Sequence, residues 1–539
     1  MEKLLKGLNQ NKSPGIDNIH PTFLQELHKE LAKPLTIIYN RSLKTKKIPC
    51  EWKKARISAI YKKGSKAQAS NYRPVSLTSI ACKIMEKIIR NHITDHINRN
   101  DLFTEKQFGF MAGRSTSLQL INVLEEWTEA IDSGKSIDCL YMDYKKAFDT
   151  VPHKRLLKKL EAYGLGKNII DWLQDYLTKR QQQVSVNSHN SKWHQVTSGV
   201  PQGSVIGPLM FVLYINDLPE EVESSIYLFA DDTKIFKIIS KEEDQTDLQK
   251  DLEKLNKWTE TWLLQLHPEK CKYLHIGKDV PWQDREYDLG GKSIKRSEEE
   301  KDIGVIIDQN LTFSKHIGEK VKKANSMTAM LRRIFQFLDA KTFVPLYKTM
   351  VRTHIEYAHS VWAPYRAKDI EMIEGVQRRA TKIIPGFAEL TYEDRLKKLS
   401  LPTLSYRRLR GDMIEVYKII NEIYDKKVNK VLKLNNEVVD RTSTRGNPFK
   451  LYTQRPRLEL RKYSFSVRVA KVWNSLPEKV VTAKSVDSFK NRLDKYWREQ
   501  DILYCYKAEF NTGSHRVLET QEESDEEDPE GTCVGNPPK

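Results

Sequence analysis

Cysteine is scarce and scattered. The six residues, Cys50, Cys82, Cys139, Cys271, Cys505 and Cys533, form no C-x-x-C pair and no Cys/His ligand spacing, which argues against a disulfide framework or a zinc knuckle. No apolar run reaches the roughly 18 residues that a membrane helix needs, and no positively flanked apolar start reads as a signal peptide. An intracellular protein of nucleus and/or cytoplasm, with no membrane partner, is therefore expected. Acidic residues are also in short supply, 72 Asp and Glu against 90 Lys and Arg, for a net charge of +18. Residues 519–539 hold eight acids and the single Lys539, so they carry −7 and leave +25 on the rest of the chain. A surplus of that size favours a polyanion as partner, through counterion release at phosphates. It does not by itself choose RNA over DNA. No internal repeat is visible.

What is present is a chain of 539 residues, 39% hydrophobic and 30% charged, enough for two to four packed units. Two stretches stand out: LYMDYKKAFDTV, with Asp143 and Asp149, and YLFADDTKIF, with Asp231 and Asp232. In the second, an apolar β-type run from Ile226 to Ala230 leads into two carboxylates and resumes at Ile235, the pattern of a hairpin with acids at its tip. An isolated Asp-Asp at a strand end is usually a solvated turn. Paired acids flanked by apolar strands persist where a divalent cation neutralises them. Oxygen-only ligation suits Mg²⁺, and two such ions about 3.5–4 Å apart activate an attacking hydroxyl and steady a leaving pyrophosphate.

Between the acidic stretches lies SGVPQGSVIGPLMFVLYINDL. In that order these three segments resemble the palm of reverse transcriptases, in particular the non-LTR retrotransposons of the jockey and chicken-repeat group. LNQNKSPGIDNIHP, ISAIYKKGSKAQASNYRPVSL and EKQFGFMAGRST upstream resemble the family's fingers segments. WLLQLHPEKCKYLHIG, KDIGVIIDQNLTFSKHI, LSYRRLRGD and RKYSFSVRVAKVWNSLP downstream resemble its later motifs.

The resemblance implies an α+β right-hand polymerase: fingers at 1–130, palm at 131–313, a helical thumb-like region at 314–427, a mostly helical C-terminal extension at 428–504 and a disordered acidic tail at 505–539. Helical periods run over Pro21 to Ser42, Ala81 to Ile97 and Ile370 to Ile384. The stretch 137–313 reads as a sheet with helices on one face, KYSFSVRVAKVW as β-type, and Ser485 to Trp497 as a closing helix.

The implied activity is RNA-directed DNA polymerisation, adding dNTPs to a primer 3′ end on an RNA template, with a DNA primer or target and two Mg²⁺. Asp143, Asp231 and Asp232 are the implied metal ligands, and Lys270 the general acid near the pyrophosphate. Lys62, Lys63 and Arg73 resemble the cations that hold the triphosphate, Arg for its planar fork. Gln202 and Gly203 fall in the loop that approaches template and nucleotide, Phe148 where a bulky ring excludes a 2′ hydroxyl, and Arg114 where template backbone passes. Asp149 reads as the cap of a helix starting near Pro152. The chain departs from the family at Met111, where Arg is more usual, at His267, usually Asn, and at Cys271, often Thr. The family's apurinic-type endonuclease is expected to be lacking, since Met1 lies only about seven residues before the first fingers motif. The rivals are a catalytically idle nucleic-acid-binding derivative, an RNA polymerase, which Phe148 and Ala230 disfavour, and a maturase, which the C-terminal segments disfavour.

Overall fold

The computed structural model describes residues 1–187, 189–278, 286–438 and 448–512. Helices Pro21–Glu26, His28–Thr45 and Ile80–Arg99 precede and follow a β-hairpin of β1 (Lys54–Tyr61) and β2 (Tyr72–Leu77). Strand β3 (Ser136–Met142) begins the second sheet, while β4 (Arg180–Val186) returns to run parallel to β1. Two short strands, β5 (His189–Asn190) and β6 (His194–Val196), complete the first sheet on β4.

The second sheet has the order β10-β9-β3-β8-β7, formed with β7 (Ser225–Phe229), β8 (Asp232–Ile239), β9 (Lys272–Ile276) and β10 (Lys295–Ser297). A small ladder of β11 (Glu299–Asp302) and β12 (Val305–Asp308) stands beside it. Strand β3 is central, and six of its seven residues are buried, with apolar side chains on both sides of the pleat. Its period of two sends Ile137 and Cys139 into one core, and Leu140 and Met142 into another.

The sheet is thus covered on both faces, not on one as expected. On the first face, Ile137, Phe236 and Leu274 share a core with Trp127 of helix Thr116–Asp132 and with Ile317, Val469 and Phe489 from C-terminal helices. On the second, Leu140 and Ile235 pack with Met85, Trp172, Phe211 and Leu252. The physical reason is in β3, whose Ile137 and Cys139 on one side and Leu140 and Met142 on the other both need cover. A second correction concerns KYSFSVRVAKVW, which holds helix Phe465–Asn474 and no strand. Phe465, Val469 and Trp473 recur every four residues and are buried, so the helical period outweighs β propensity. The closing helix is present as Val486–Tyr496. Of the segment assigned to the tail, residues 505–512 pack: the Phe510 ring meets Trp497 at 4.8 Å and Tyr506 donates to Glu371. Residues 513–539 lie outside the described residues. No described helix is long and apolar enough to cross a membrane.

One charge lies inside the sheet. Asp138 on β3 is fully buried and accepts from Tyr273 at 3.0 Å, Tyr287 at 2.6 Å and Gln245 at 3.0 Å, and it faces His275 at 2.6 Å. Burial pushes its carboxyl up, but the bonds from His275 and Tyr287 outweigh that and hold it below its usual value. Burial pulls His275 down, and the bond to Asp138 reverses this and raises it. While His275 holds its proton the pair is charged on both sides, which joins β3 to β9. Removing one partner leaves a buried charge, so Asp138→Ala is expected to cost about 3–5 kcal/mol of stability. The raised pKa of His275 contributes stability that is full below about pH 6.5, its unfolded value, and is lost as pH rises through the folded value. Urea unfolding at pH 6 and pH 8 checks both: wild type weakens at pH 8, and Asp138→Ala removes most of that difference.

Candidate active site

The register of β3 on β8 builds the site. The ladder ends where Met142 pairs with Thr233, and just beyond it Asp143 and Asp232 line one small pocket together with Lys270. Phe229 pairs with Asp232 across the β7–β8 hairpin, which leaves Ala230 and Asp231 as a two-residue turn. Ala230 takes a positive φ of 56° there, a conformation that a β-carbon disfavours by about 1–2 kcal/mol. Three acids therefore share one end of the sheet. Lys270, on the single turn Pro268–Lys270, stands 3.3 Å from the Asp143 carboxylate. Its loop is fixed to the first acidic stretch by His267 N–H to Asp143 C=O at 2.7 Å and Lys145 N–H to Gln265 C=O at 2.8 Å.

The acids open on a cleft of about 1330 Å³ lined by Asp231, Asp232, Phe148, Asp149, Gln202, Gly203, Lys62 and Arg73. The β1–β2 hairpin forms the far wall and adds Lys66 and Tyr72, which sequence reasoning missed. Lys63 is exposed on the same hairpin and does not line the cleft. Gln202 C=O accepts from Ser76 N–H at 2.7 Å, binding the floor loop to β2. Gly203 makes that approach possible: its φ is 106°, and a β-carbon would stand 2.8 Å from Ser76 O. Phe148 stacks on Phe211 with ring centroids 4.3 Å apart, so the ring is held rigidly at the cleft edge.

Asp149 corrects the sequence reading. The helix His153–Ala162 starts at Pro152 with no side-chain cap, and the Asp149 carboxylate instead accepts from Gln202 Nε2 at 2.9 Å. Arg114 is also put to another use. Its side chain is 2% exposed, pairs with Asp425 at 2.8 Å and donates to the carbonyls of Thr104, Glu105 and Gln107. Each of its three nitrogens already has a protein partner. Glu86, which carried no motif signal, is fully buried and accepts from Val205 N–H at 2.6 Å and Ile206 N–H at 3.2 Å. It thereby holds the start of helix Gly207–Tyr214, which carries Phe211. Only its position inside an apolar helix could have marked it.

Electrostatically the tip is overcrowded with negative charge. Burial pushes Asp231 up and Asp143 adds to it, while Arg73 and Lys62 pull the other way. Asp232 is open to the cleft on one side; the protein around its carboxyl, with Asp231, Asp302 and Asp143, raises it to about 6. Among the described residues no three His, Cys, Asp or Glu side chains are gathered to hold a metal ion as they stand; Asp143 is turned to Lys270. The donor set is nevertheless all oxygen and in excess of its cations, the chemistry that suits a hard divalent ion. Removing one of the acids should relax the others. In ion-free protein, Asp231→Asn, which removes the nearest like charge, is expected to lower the Asp232 titration from about 6, read by carboxyl ¹³C NMR. An unmoved titration would contradict the crowding.

Comparison with known proteins returns one family. Residues 60–309, which hold all three acids and the floor loop, match the family described as reverse transcriptase (RNA-dependent DNA polymerase). The chain is 29% identical over 394 residues to a probable RNA-directed DNA polymerase from transposon X-element of Drosophila melanogaster, covering 70% of this chain and 42% of the relative. It is 28% identical over 406 residues to the corresponding protein of transposon BS, and 27% over 406 residues to the RNA-directed DNA polymerase from mobile element jockey, both of the same fly and each 43% covered. The chain thus spans less than half the length of these curated relatives. The family that the motifs resemble is the one that residues 60–309 match, a reverse transcriptase domain whose matched span takes in the three acids and the floor loop.

Proposed function

We propose, on the premise of that domain, that this chain is an RNA-directed DNA polymerase of a non-LTR retrotransposon, adding dNTPs to a primer 3′ end on an RNA template. One observation carries the reading: Asp231 and Asp232 stand in a cleft whose far wall presents Lys62 and Arg73, and Asp143 lines a smaller pocket beside them that also takes in Asp232 and Lys270. Fingers at 1–130, palm at 131–313, thumb at 314–427 and an extension at 428–504 fit this division of labour. The β1–β2 hairpin supplies cations, and the second sheet supplies acids.

Bound Mg²⁺, two ions in this reading, would be held by Asp143, Asp231 and Asp232 and would supply charge stabilisation for in-line phosphoryl transfer. Arg73 and Lys62 receive the triphosphate, whose negative charge their side of the cleft offsets. Lys270, beside Asp143, would give a proton to the departing pyrophosphate. Phe148, immobile on Phe211, meets the sugar where a 2′ hydroxyl would project. Gln202 and Gly203 keep the floor of the cleft thin enough for a base pair to seat against backbone.

Primer extension on an RNA template with Mg²⁺ tests this. Asp231→Ala is expected to abolish extension while template–primer affinity stays within about twofold, because phosphate contacts elsewhere dominate binding. Survival of extension would reject the site. Phe148→Val should lower discrimination against ribonucleotides by about 10–100-fold, the scale of a steric pocket change, read as the ratio of kcat/KM values for the two nucleotides.

A further inference from the structure

The turn that carries Asp231 is held from behind by a segment outside the acid motifs. Residues 106–108 run alongside β7: Leu228 N–H donates to Lys106 C=O at 2.9 Å and Phe108 N–H to Leu228 C=O at 2.8 Å. Between those bonds sits Gln107, fully buried. Its Oε1 accepts from Ala230 N–H and from Gly109 N–H, each at 2.8 Å. Gly109 lies so close that a β-carbon would come within 2.3 Å of Ala230 N. Ala230 is the residue at φ 56°, and its amide has no strand partner, since the ladder closes at Phe229 and Asp232. A non-glycine residue in that conformation persists only where its surroundings over-determine it. Here Gln107 is the surrounding group.

Gln107 is in turn anchored from the far end of the chain. Arg114 donates to Gln107 C=O at 2.6 Å, to Thr104 C=O at 2.9 Å and to Glu105 C=O at 3.2 Å, and its other nitrogens meet Asp425 at 2.9 and 2.8 Å. Asp425 N–H donates to Gly113 C=O at 2.9 Å. Lys427 pairs with Asp101, and Lys430 with Glu105 at 3.2 Å, so the loop after helix Leu404–Ile420 clasps the whole segment.

We propose that Gln107 is a positioning residue for the reaction: it fixes Ala230 in its left-handed conformation so that Asp231 points into the cleft, and the Arg114–Asp425 pair holds Gln107 for that task. This rests on the polymerase reading for its catalytic consequence, and on geometry alone for its structural one. Removal of Gln107 leaves two buried N–H groups without an acceptor, and the turn relaxes toward backbone angles that move Asp231 away from Asp143 and Asp232.

The full chain is compared as wild type, Gln107→Leu, Asp425→Ala and the double variant Gln107→Leu with Ala230→Gly. In primer extension, Gln107→Leu is expected to lower kcat about 100-fold, the scale of a misplacement near 1 Å, with KM for dNTP within about twofold. Asp425→Ala, at the protein surface, should lose about tenfold by the same route. Glycine takes the left-handed conformation without strain, so the double variant should regain about tenfold in kcat over Gln107→Leu without regaining its thermal midpoint. Amide hydrogen exchange at Ala230 should quicken in Gln107→Leu and, less, in Asp425→Ala. Unchanged kcat and unchanged exchange overturn the proposal. So does a loss of rate that merely follows the thermal midpoint and that glycine does not relieve, which would make Gln107 a stabilising residue only. A wild-type chain that extends no primer would instead overturn the polymerase reading, and the exchange data would then decide the positioning claim unaided.

Discussion

Mutual repulsion among acids at one end of a five-stranded sheet is the constraint to which the other parts answer. The pairing of β3 with β8 ends at Met142 and Thr233, which leaves Asp143 and Asp232 lining one pocket, and the two-residue turn adds Asp231. Carboxylates so placed raise one another's pKa, and the protein around them removes water that would screen them. Cations are therefore stationed on every approach: Lys270 beside Asp143, Arg73 and Lys62 across the cleft. The same surplus of negative charge that burdens the folded chain gives the site its appetite for hard cations. A network of this kind is held open by its scaffold and completed by what enters it.

The scaffold is correspondingly stiff beneath the acids. Asp138 meets four buried side chains on the strand that leads to Asp143, five residues before it. Lys234 pairs with Asp302 in a buried contact two residues after Asp232, tying β8 to the β11–β12 ladder. Glu86 braces the helix whose Phe211 supports Phe148. Each charge is buried with a partner, as a low-dielectric interior requires, and together they leave little freedom at the strand ends where the chemistry is proposed.

Much of this was legible along the chain because its signal is local. An apolar run ending in Asp231 and Asp232, and a Gly-Pro loop between two acidic strands, announce their geometry within a few residues. Lys63 shows the limit of such reading: it adjoins Lys62 in sequence, yet of the two, both in the loop beyond β1, only Lys62 lines the cleft. Arg114 shows another, since its partner Asp425 lies 311 positions away and only folding brings the two together. The helix at Phe465–Asn474 was open to view in its four-residue spacing, but valines and aromatics suggested a strand. Asp149 resembled a cap because Pro152 follows it; its true partner, Gln202, comes from a loop 53 positions on.

The two-sided cover of the central sheet has a bearing on how such a sequence is inherited. Residues 60–309 hold every acid and the floor loop, yet Ile137, Cys139, Tyr227, Phe236, Leu274 and Ile276 share their core with helices as far along as Trp497. Cut at the family boundary, the sheet would present one greasy side to water. The smallest piece that recombination can transplant intact is accordingly set by apolar contact, not by motif limits, and it reaches nearly to the last described residue.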